Sequence, residues 1–167
     1  PLRDRAVADS LFEALYNGNV DVLASDHAPH SLKEKQNDVW WMIPIGIPGL
    51  ETTLPLFLTQ VKNGRISLDR LVQVLSSEPR KVLGLGPMEI EKGNNADLVL
   101  VNLNKEAKID SSKFLSKAKY SPFDGMRTVG WPEKTFVSGR LVYDQGQIVA
   151  TPGCGGIATP HEPKNAS

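Results

Sequence analysis

Three residues in one short stretch could do chemistry together: Asp26, His27 and His30, within Ser25-Asp26-His27-Ala28-Pro29-His30. A carboxylate beside imidazoles can bind a metal ion, accept and return a proton, or hold an anionic ligand. The stretch is entered through Val20-Asp21-Val22-Leu23-Ala24, a short apolar, β-branched run with the pattern of a buried strand. Pro29 stops that pattern between the two histidines. An aspartate at the mouth of a buried strand costs desolvation unless something pairs with it, and a metal ion or a substrate proton is the usual partner. A strand leaving the core into a polar turn, capped by Asp26 with both histidines solvated, fits the same residue types equally well.

The motif does not stand alone. It is followed by Leu32-x-Glu34-Lys35 and Gly46-Ile47-Pro48-Gly49-Leu50-Glu51-Thr52, then by Tyr120-Ser121-Pro122-Phe123-Asp124-Gly125 and Val137-Ser138-Gly139-Arg140-Leu141-Val142-Tyr143. Together these resemble the C-terminal part of a dihydroorotase, within the metal-dependent amidohydrolase superfamily. The resemblance covers nearly the whole chain, and Asp-His-Ala-Pro-His is its most specific part. Related allantoinases and hydantoinases usually differ at the second histidine, so His30 favours a dihydroorotate-type substrate.

The resemblance implies an α/β fold: the C-terminal part of a (β/α)8 TIM-like barrel over residues 1–85, a small β-sandwich module over 86–150, and a flexible tail over 151–167. It implies a hydrolase that reversibly opens L-dihydroorotate to N-carbamoyl-L-aspartate in pyrimidine biosynthesis, in the cytoplasm, with one or two zinc ions. Asp26 would be both metal ligand and general acid/base. His30 would hold the substrate carboxylate, and the backbone at Ile45 and Gly46 would contact the substrate ring. His27 would either orient Asp26 or pack below the site.

The family also carries an N-terminal His-x-His pair, further metal histidines and often a carboxylated lysine. No His-x-His occurs here, and His161 is the one histidine outside the motif. A catalytic zinc takes three protein ligands, so the chain by itself is expected to be inactive. Pro1 is not an initiator methionine, and Pro1-Leu2-Arg3 resembles the remnant of a family Asn-Pro-Pro-Leu-Arg segment. A barrel of this kind needs about 250 residues, against 167 here. The expectation is an incomplete piece that works with the missing N-terminal half, as a homo-oligomer, or beside other pyrimidine-pathway enzymes. The alternatives are a non-catalytic interaction chain of dihydroorotase descent and an allantoinase-like cyclic amidase.

Composition narrows the partners. Nineteen basic residues balance nineteen acidic ones, which gives no electrostatic case for nucleic acid or an anionic membrane surface. A single cysteine, Cys154, rules out an internal disulfide and a cysteine-rich zinc module, and it has no neighbouring base in sequence to activate it. No apolar run approaches the roughly 20 residues that span a bilayer.

The elements that must position the motif follow from periodicity. Residues 4–17 read as a helix with Val7, Leu11, Phe12 and Leu15 inward and Gly18 as its stop. Residues 20–24 read as the strand that delivers Asp26. Residues 31–48 read as a loop in which Trp40 and Trp41 pack down as apolar anchors. A second helix spans 50–63, with its regular part beginning near Pro55. Glu51 in its first turn is read as a dipole partner or loop hydrogen-bond acceptor in preference to a general acid. Ser67 caps a third helix that Ser76, Ser77 and Pro79 break. After Gly86 come short strands at 96–101, 135–137, 140–143 and 147–149, with turns at Ser138-Gly139 and Asp144-Gln145-Gly146. Asp97 reads as structural, and residues 120–126 return toward the first half of the chain. There are no internal repeats and no glycine-rich phosphate loop.

Overall fold

The computed structural model describes residues 3–86 and 89–160. Pro1, Leu2, His161 and the rest of the tail's end lie outside the described residues.

Helix α1, Arg5–Tyr16, begins where the Asp4 carboxylate accepts the Val7 amide at 3.0 Å, satisfying one of the free amides of the first turn. Gly18 follows in the left-handed region. Leu15 is buried and Phe12 stacks on Phe57, while Val7 and Leu11 of the same stripe stay exposed.

Residues 20–24 form no strand in the described structure, which corrects the sequence expectation. A strand exists only through a ladder partner, and none lies beside this segment among the described residues. Two other groups hold it: Leu23 donates its amide to the Val74 carbonyl at 3.0 Å, and the Val20 carbonyl accepts from the Arg70 guanidinium at 2.6 Å.

Helix α2, Thr53–Lys62, places Pro55 in its first turn, where a missing N–H costs nothing. Helix α3, Leu68–Val72, is capped by the Ser67 hydroxyl, which accepts the Arg70 amide at 3.1 Å. The chain does not break at Ser76 and Ser77 as the sequence predicts. A π turn over Gln73–Ser77 carries it directly into α4, Glu78–Val82. Pro79 has no N–H to return to the preceding turn. In the π register its partner would be the Val74 carbonyl, and that free carbonyl is the one Leu23 uses.

The main core gathers where these pieces meet, with Leu15, Leu58, Ile66, Leu71 and Val74 buried together and Val20, Leu23 and Phe57 packed against them.

Strands β1 (Leu98–Lys108), β2 (Arg127–Val137), β3 (Arg140–Asp144) and β4 (Gln147–Ile148) form one antiparallel sheet in chain order. Both hairpin turns are as the sequence predicts. Ser138 and Gly139, then Gln145 and Gly146, all have positive φ, the conformation that matches strand twist in two-residue hairpins. The Asp97 carboxylate accepts the Ser138 amide at 2.6 Å, which makes it a turn brace.

The β1 and β2 ladders run further than the apolar pattern indicates. Register shifts at Leu100/Val101 and Asn102/Glu106 let the sheet absorb Pro132 and a polar stretch. Gly130 has φ +97, and a Cβ there would lie 2.6 Å from the Leu58 Cβ. The Thr59 hydroxyl accepts the Val129 amide at 2.9 Å. Helix α2 therefore rests directly on β2. No helix of the described residues is long and apolar enough to cross a membrane.

Candidate active site

The two stretches singled out from the sequence meet in the structure. The Ala28 amide donates to the Ile47 carbonyl at 3.0 Å, and His27 and Ile47 form an isolated parallel bridge. The approach is close enough to require glycine twice. A Cβ at Gly46 would come 2.4 Å from the Ala28 Cβ, and one at Gly49 would come 2.7 Å from the Ser25 carbonyl oxygen. Residues 46–49 are thus clamped along residues 25–28, and Ile45 and Gly46 are carried to the side of the Asp26 segment.

Asp26 stands at the start of this clamp with φ +45, in a left-handed conformation that aspartate tolerates better than most residues. It is exposed, so its carboxylate is open to solvent or to a ligand. His30 is half-buried, and its amide donates to the Ala28 carbonyl at 3.0 Å, which turns the chain sharply. The next residues fix that turn. The Glu34 carboxylate accepts from the Ser31 hydroxyl at 2.7 Å and the Ser31 amide at 2.6 Å, while the Glu34 amide donates back to the Ser31 hydroxyl at 3.3 Å. This is a capping box. The Ser31 hydroxyl and amide hold the Glu34 carboxyl below its usual range, and the charges of His30 and Lys117 act in the same direction.

His27 has a different job from its neighbours. Its Nδ1 accepts two backbone amides, Gly49 at 3.0 Å and Leu50 at 3.2 Å. The Gly49 carbonyl in turn accepts the amides of Thr52 and Thr53 at 3.1 and 2.9 Å. The imidazole therefore receives the free amides that lead into α2. The local sequence carries no signal for this, because the partners lie 22 and 23 residues away.

Ile45 is 79% exposed, and the loop around it is apolar and open. Trp40 and Trp41, expected to pack down, are 72% and 73% exposed. They sit in a short 3-10 turn, Trp40–Met42, edge-on to one another at 6.2 Å. The indoles find their apolar contact in each other because no other described part of the chain reaches over the turn. The loop's inner side is tied down by Lys35, whose ammonium donates to the Pro44 carbonyl at 2.8 Å and lies 5.8 Å from the centroid of the Tyr120 ring.

Glu51 is a loop acceptor. Its carboxylate oxygens take the amides of Leu115 and Ser116 at 3.0 and 3.2 Å, tying the lead-in of α2 to a loop 64 residues away. Alanine at Glu51 is expected to lower the unfolding free energy by roughly 1.5–3 kcal/mol, the range for hydrogen bonds to a charged group. Urea denaturation checks this, and an unchanged midpoint would mean that the tether carries no stability.

A cavity of about 670 Å³ lies elsewhere, between the start of α2 and the sheet, lined by Leu54, Val99, Trp131, Tyr143 and Ile148. It includes none of Asp26, His27, His30, Ile45 or Gly46.

Among the described residues, no group of three His, Cys, Asp or Glu side chains converges to hold a metal ion. Asp26 offers one open carboxylate, and His27 has committed Nδ1 to backbone. That is short of the three protein ligands a catalytic zinc takes, so the residues present do not make a zinc site by themselves.

Residues 6–142 match the amidohydrolase family model. The chain is 43% identical over 150 residues to a dihydroorotase of Bacillus licheniformis, covering 89% of this chain and 35% of that protein. It is 41% identical over 165 residues to an L-hydantoinase of Paenarthrobacter aurescens, covering 95% of this chain and 36% of that protein. The structure resembles that of an L-hydantoinase (dihydropyrimidinase) from Arthrobacter aurescens, with a TM-score of 0.88 and 40% identity over 95% of this chain and 36% of that one. The chain thus spans about a third of the length of the curated relatives it matches.

Proposed function

The chain belongs to the amidohydrolase family, with a TIM-barrel-type fold and a sequence of the dihydroorotase type, and from that premise we propose that it forms part of a zinc-dependent dihydroorotase. On this reading α1 is helix seven of a (β/α)8 barrel and residues 20–24, which form no strand here, occupy the place of its eighth strand, within a unit spanning 1–85. The sheet β1–β4 is the C-terminal share of a β-sandwich within 86–150. Cytoplasmic location belongs to the same proposal, as does association with a second copy, with the remaining barrel segments or with other enzymes of pyrimidine synthesis.

The observation that carries the reading is the clamp between residues 25–28 and 46–49. It holds the backbone that carries exposed Asp26 against the segment that follows Ile45, which supports the reading that Asp26, His30, Ile45 and Gly46 serve one site. Opening a cyclic amide needs a proton removed from the attacking water and a proton delivered to the leaving nitrogen, and one positioned carboxylate can do both in turn. Asp26 takes that role. His30 donates to the substrate carboxylate by a charge-assisted hydrogen bond. The Ile45 and Gly46 backbone orients the ring. Asp26 would also be one zinc ligand, with the others supplied from outside this chain. Zinc, when bound, supplies Lewis acidity.

A hydantoinase-type substrate is the second reading, favoured by the likeness to the L-hydantoinase over nearly the whole chain. Hydantoin lacks the carboxylate assigned to His30, so the two readings differ in what His30 touches.

The test is ring opening of L-dihydroorotate, hydantoin and allantoin by the purified chain with added zinc, alone and after mixing with the N-terminal segment of a related dihydroorotase. Opening of dihydroorotate only in the mixture is the expected result. Opening of hydantoin or allantoin without dihydroorotate would replace the substrate. No turnover of any of the three in a folded mixture would overturn the catalytic reading.

A further inference from the structure

We propose that His27 is a positioning residue and not a metal ligand. Held as the tautomer with its proton on Nε2, it locks the Asp26 segment to the lead-in of α2. The inference rests on reading Asp26 as a site residue, but its geometry is independent of that reading.

An imidazole nitrogen that accepts a hydrogen bond carries no proton, so the neutral ring must carry its proton on the other nitrogen. Nδ1 of His27 accepts from both Gly49 and Leu50. The lone pair a metal would need at Nδ1 is occupied, and Nε2 bears the proton. Those two amides belong to the turn before α2, whose N-cap is Thr52. His27 thus braces that turn from a distant part of the chain.

The positional consequence follows from its neighbours. His27 comes directly after Asp26, whose φ is +45, and pairs with Ile47 in the isolated bridge. Ala28 follows against Gly46, with no room for a further methyl group between them. The imidazole, the Ala28–Ile47 hydrogen bond and the Ala28–Gly46 contact tie the two segments at three successive levels. Without the imidazole, the remaining two would allow the lead-in of α2 to swing away from Ser25 and Asp26.

Three histidines in the chain make the test direct. Long-range proton–nitrogen correlation spectra of the ¹⁵N-labelled chain, assigned by single-histidine variants, read the tautomer. The expected result is an unprotonated Nδ1 and a protonated Nε2 on His27.

Amide exchange at Gly49 and Leu50 gives the second readout. Exchange is expected to quicken about tenfold in His27→Gln, in line with loss of a hydrogen bond. His27→Asn is expected to restore protection. The asparagine oxygen can stand where Nδ1 stands, whereas glutamine places its acceptor near the position of Nε2. A variant that fails to fold leaves the wild-type tautomer and the asparagine rescue to decide. A proton on Nδ1, or a folded asparagine variant as unprotected as the glutamine variant, would each overturn the proposal. No turnover is measured, so failure here is distinct from failure of the dihydroorotase reading.

Discussion

Asparagine in place of Asp26 is expected to cut cyclic-amide turnover by about 10²–10⁴, the usual contribution of a positioned general acid or base, while leaving the fold in place. The choice of asparagine matters. Asp26 sits at φ +45, and asparagine is the other residue that enters the left-handed region readily. The substitution therefore removes the carboxylate, both as proton carrier and as the proposed zinc ligand, without disturbing the backbone. Alanine would combine the chemical loss with backbone strain, and a fall in rate would then have two causes. The measurement is kcat in the reconstituted mixture, with circular dichroism and thermal midpoint beside it. A kcat within a few-fold of wild type would remove Asp26 from the chemistry. An equal loss of kcat and thermal midpoint would mean that the residue is structural.

Alanine at Gly46 is expected to be the most disruptive single-methyl change in the candidate site. Two separate penalties act. The backbone there has φ +113, where a side chain is strained by about 1–3 kcal/mol. The new methyl would also lie 2.4 Å from the Ala28 Cβ, and overpacking of this kind typically costs about 1–3 kcal/mol.

The two penalties separate in a double-mutant cycle. Ala28→Gly removes the clashing atom and leaves the next contacts at 3.6 Å, an ordinary separation. The pair Gly46→Ala with Ala28→Gly should therefore recover the overpacking part and retain the φ part, a coupling of about 1–3 kcal/mol. Urea midpoints of the four proteins supply the cycle. Strict additivity would show that the two segments part easily, and the clamp would then not hold the site.

How much of this could be read from the sequence depends on the distance over which each feature is decided. Helix α1 was legible because Asp4, the apolar stripe and Gly18 all lie within one segment. The turns at Ser138-Gly139 and Gln145-Gly146 were legible for the same reason. Asp26 and His30 stood out because the motif is contiguous. Residues 20–24 carry the composition of a strand, but composition cannot supply a ladder partner.

The far half of β1 was illegible because its polar residues are accommodated by bulges, and the bulges are set by a second strand that contains Pro132. Trp40 and Trp41 are large and apolar, which sequence reasoning turns into burial. Their exposure depends on whether any other segment reaches them. Glu51 could be read as an acceptor, but not as the partner of Leu115 and Ser116. The role of His27 needed both its own position and that of Gly49, and only the folded chain brings them together.

The seating of α2 on β2 also bears on the order in which the chain can acquire its structure. The Thr59 hydroxyl meets Val129 across a separation of 70 residues, and Leu58 meets Gly130 beside it. As the chain leaves a ribosome, α1, α2 and α3 can gather around Leu15 and Leu71 while β2 is still unmade. The part of α2 around Leu58 and Thr59 that β2 covers stays wet through that interval. Long-range closure of this kind is slow relative to local helix formation, and the uncovered helix face is the surface a nascent-chain chaperone would find. Synthesis of the first hairpin ends that window, because β2 arrives with the glycine that lets it seat.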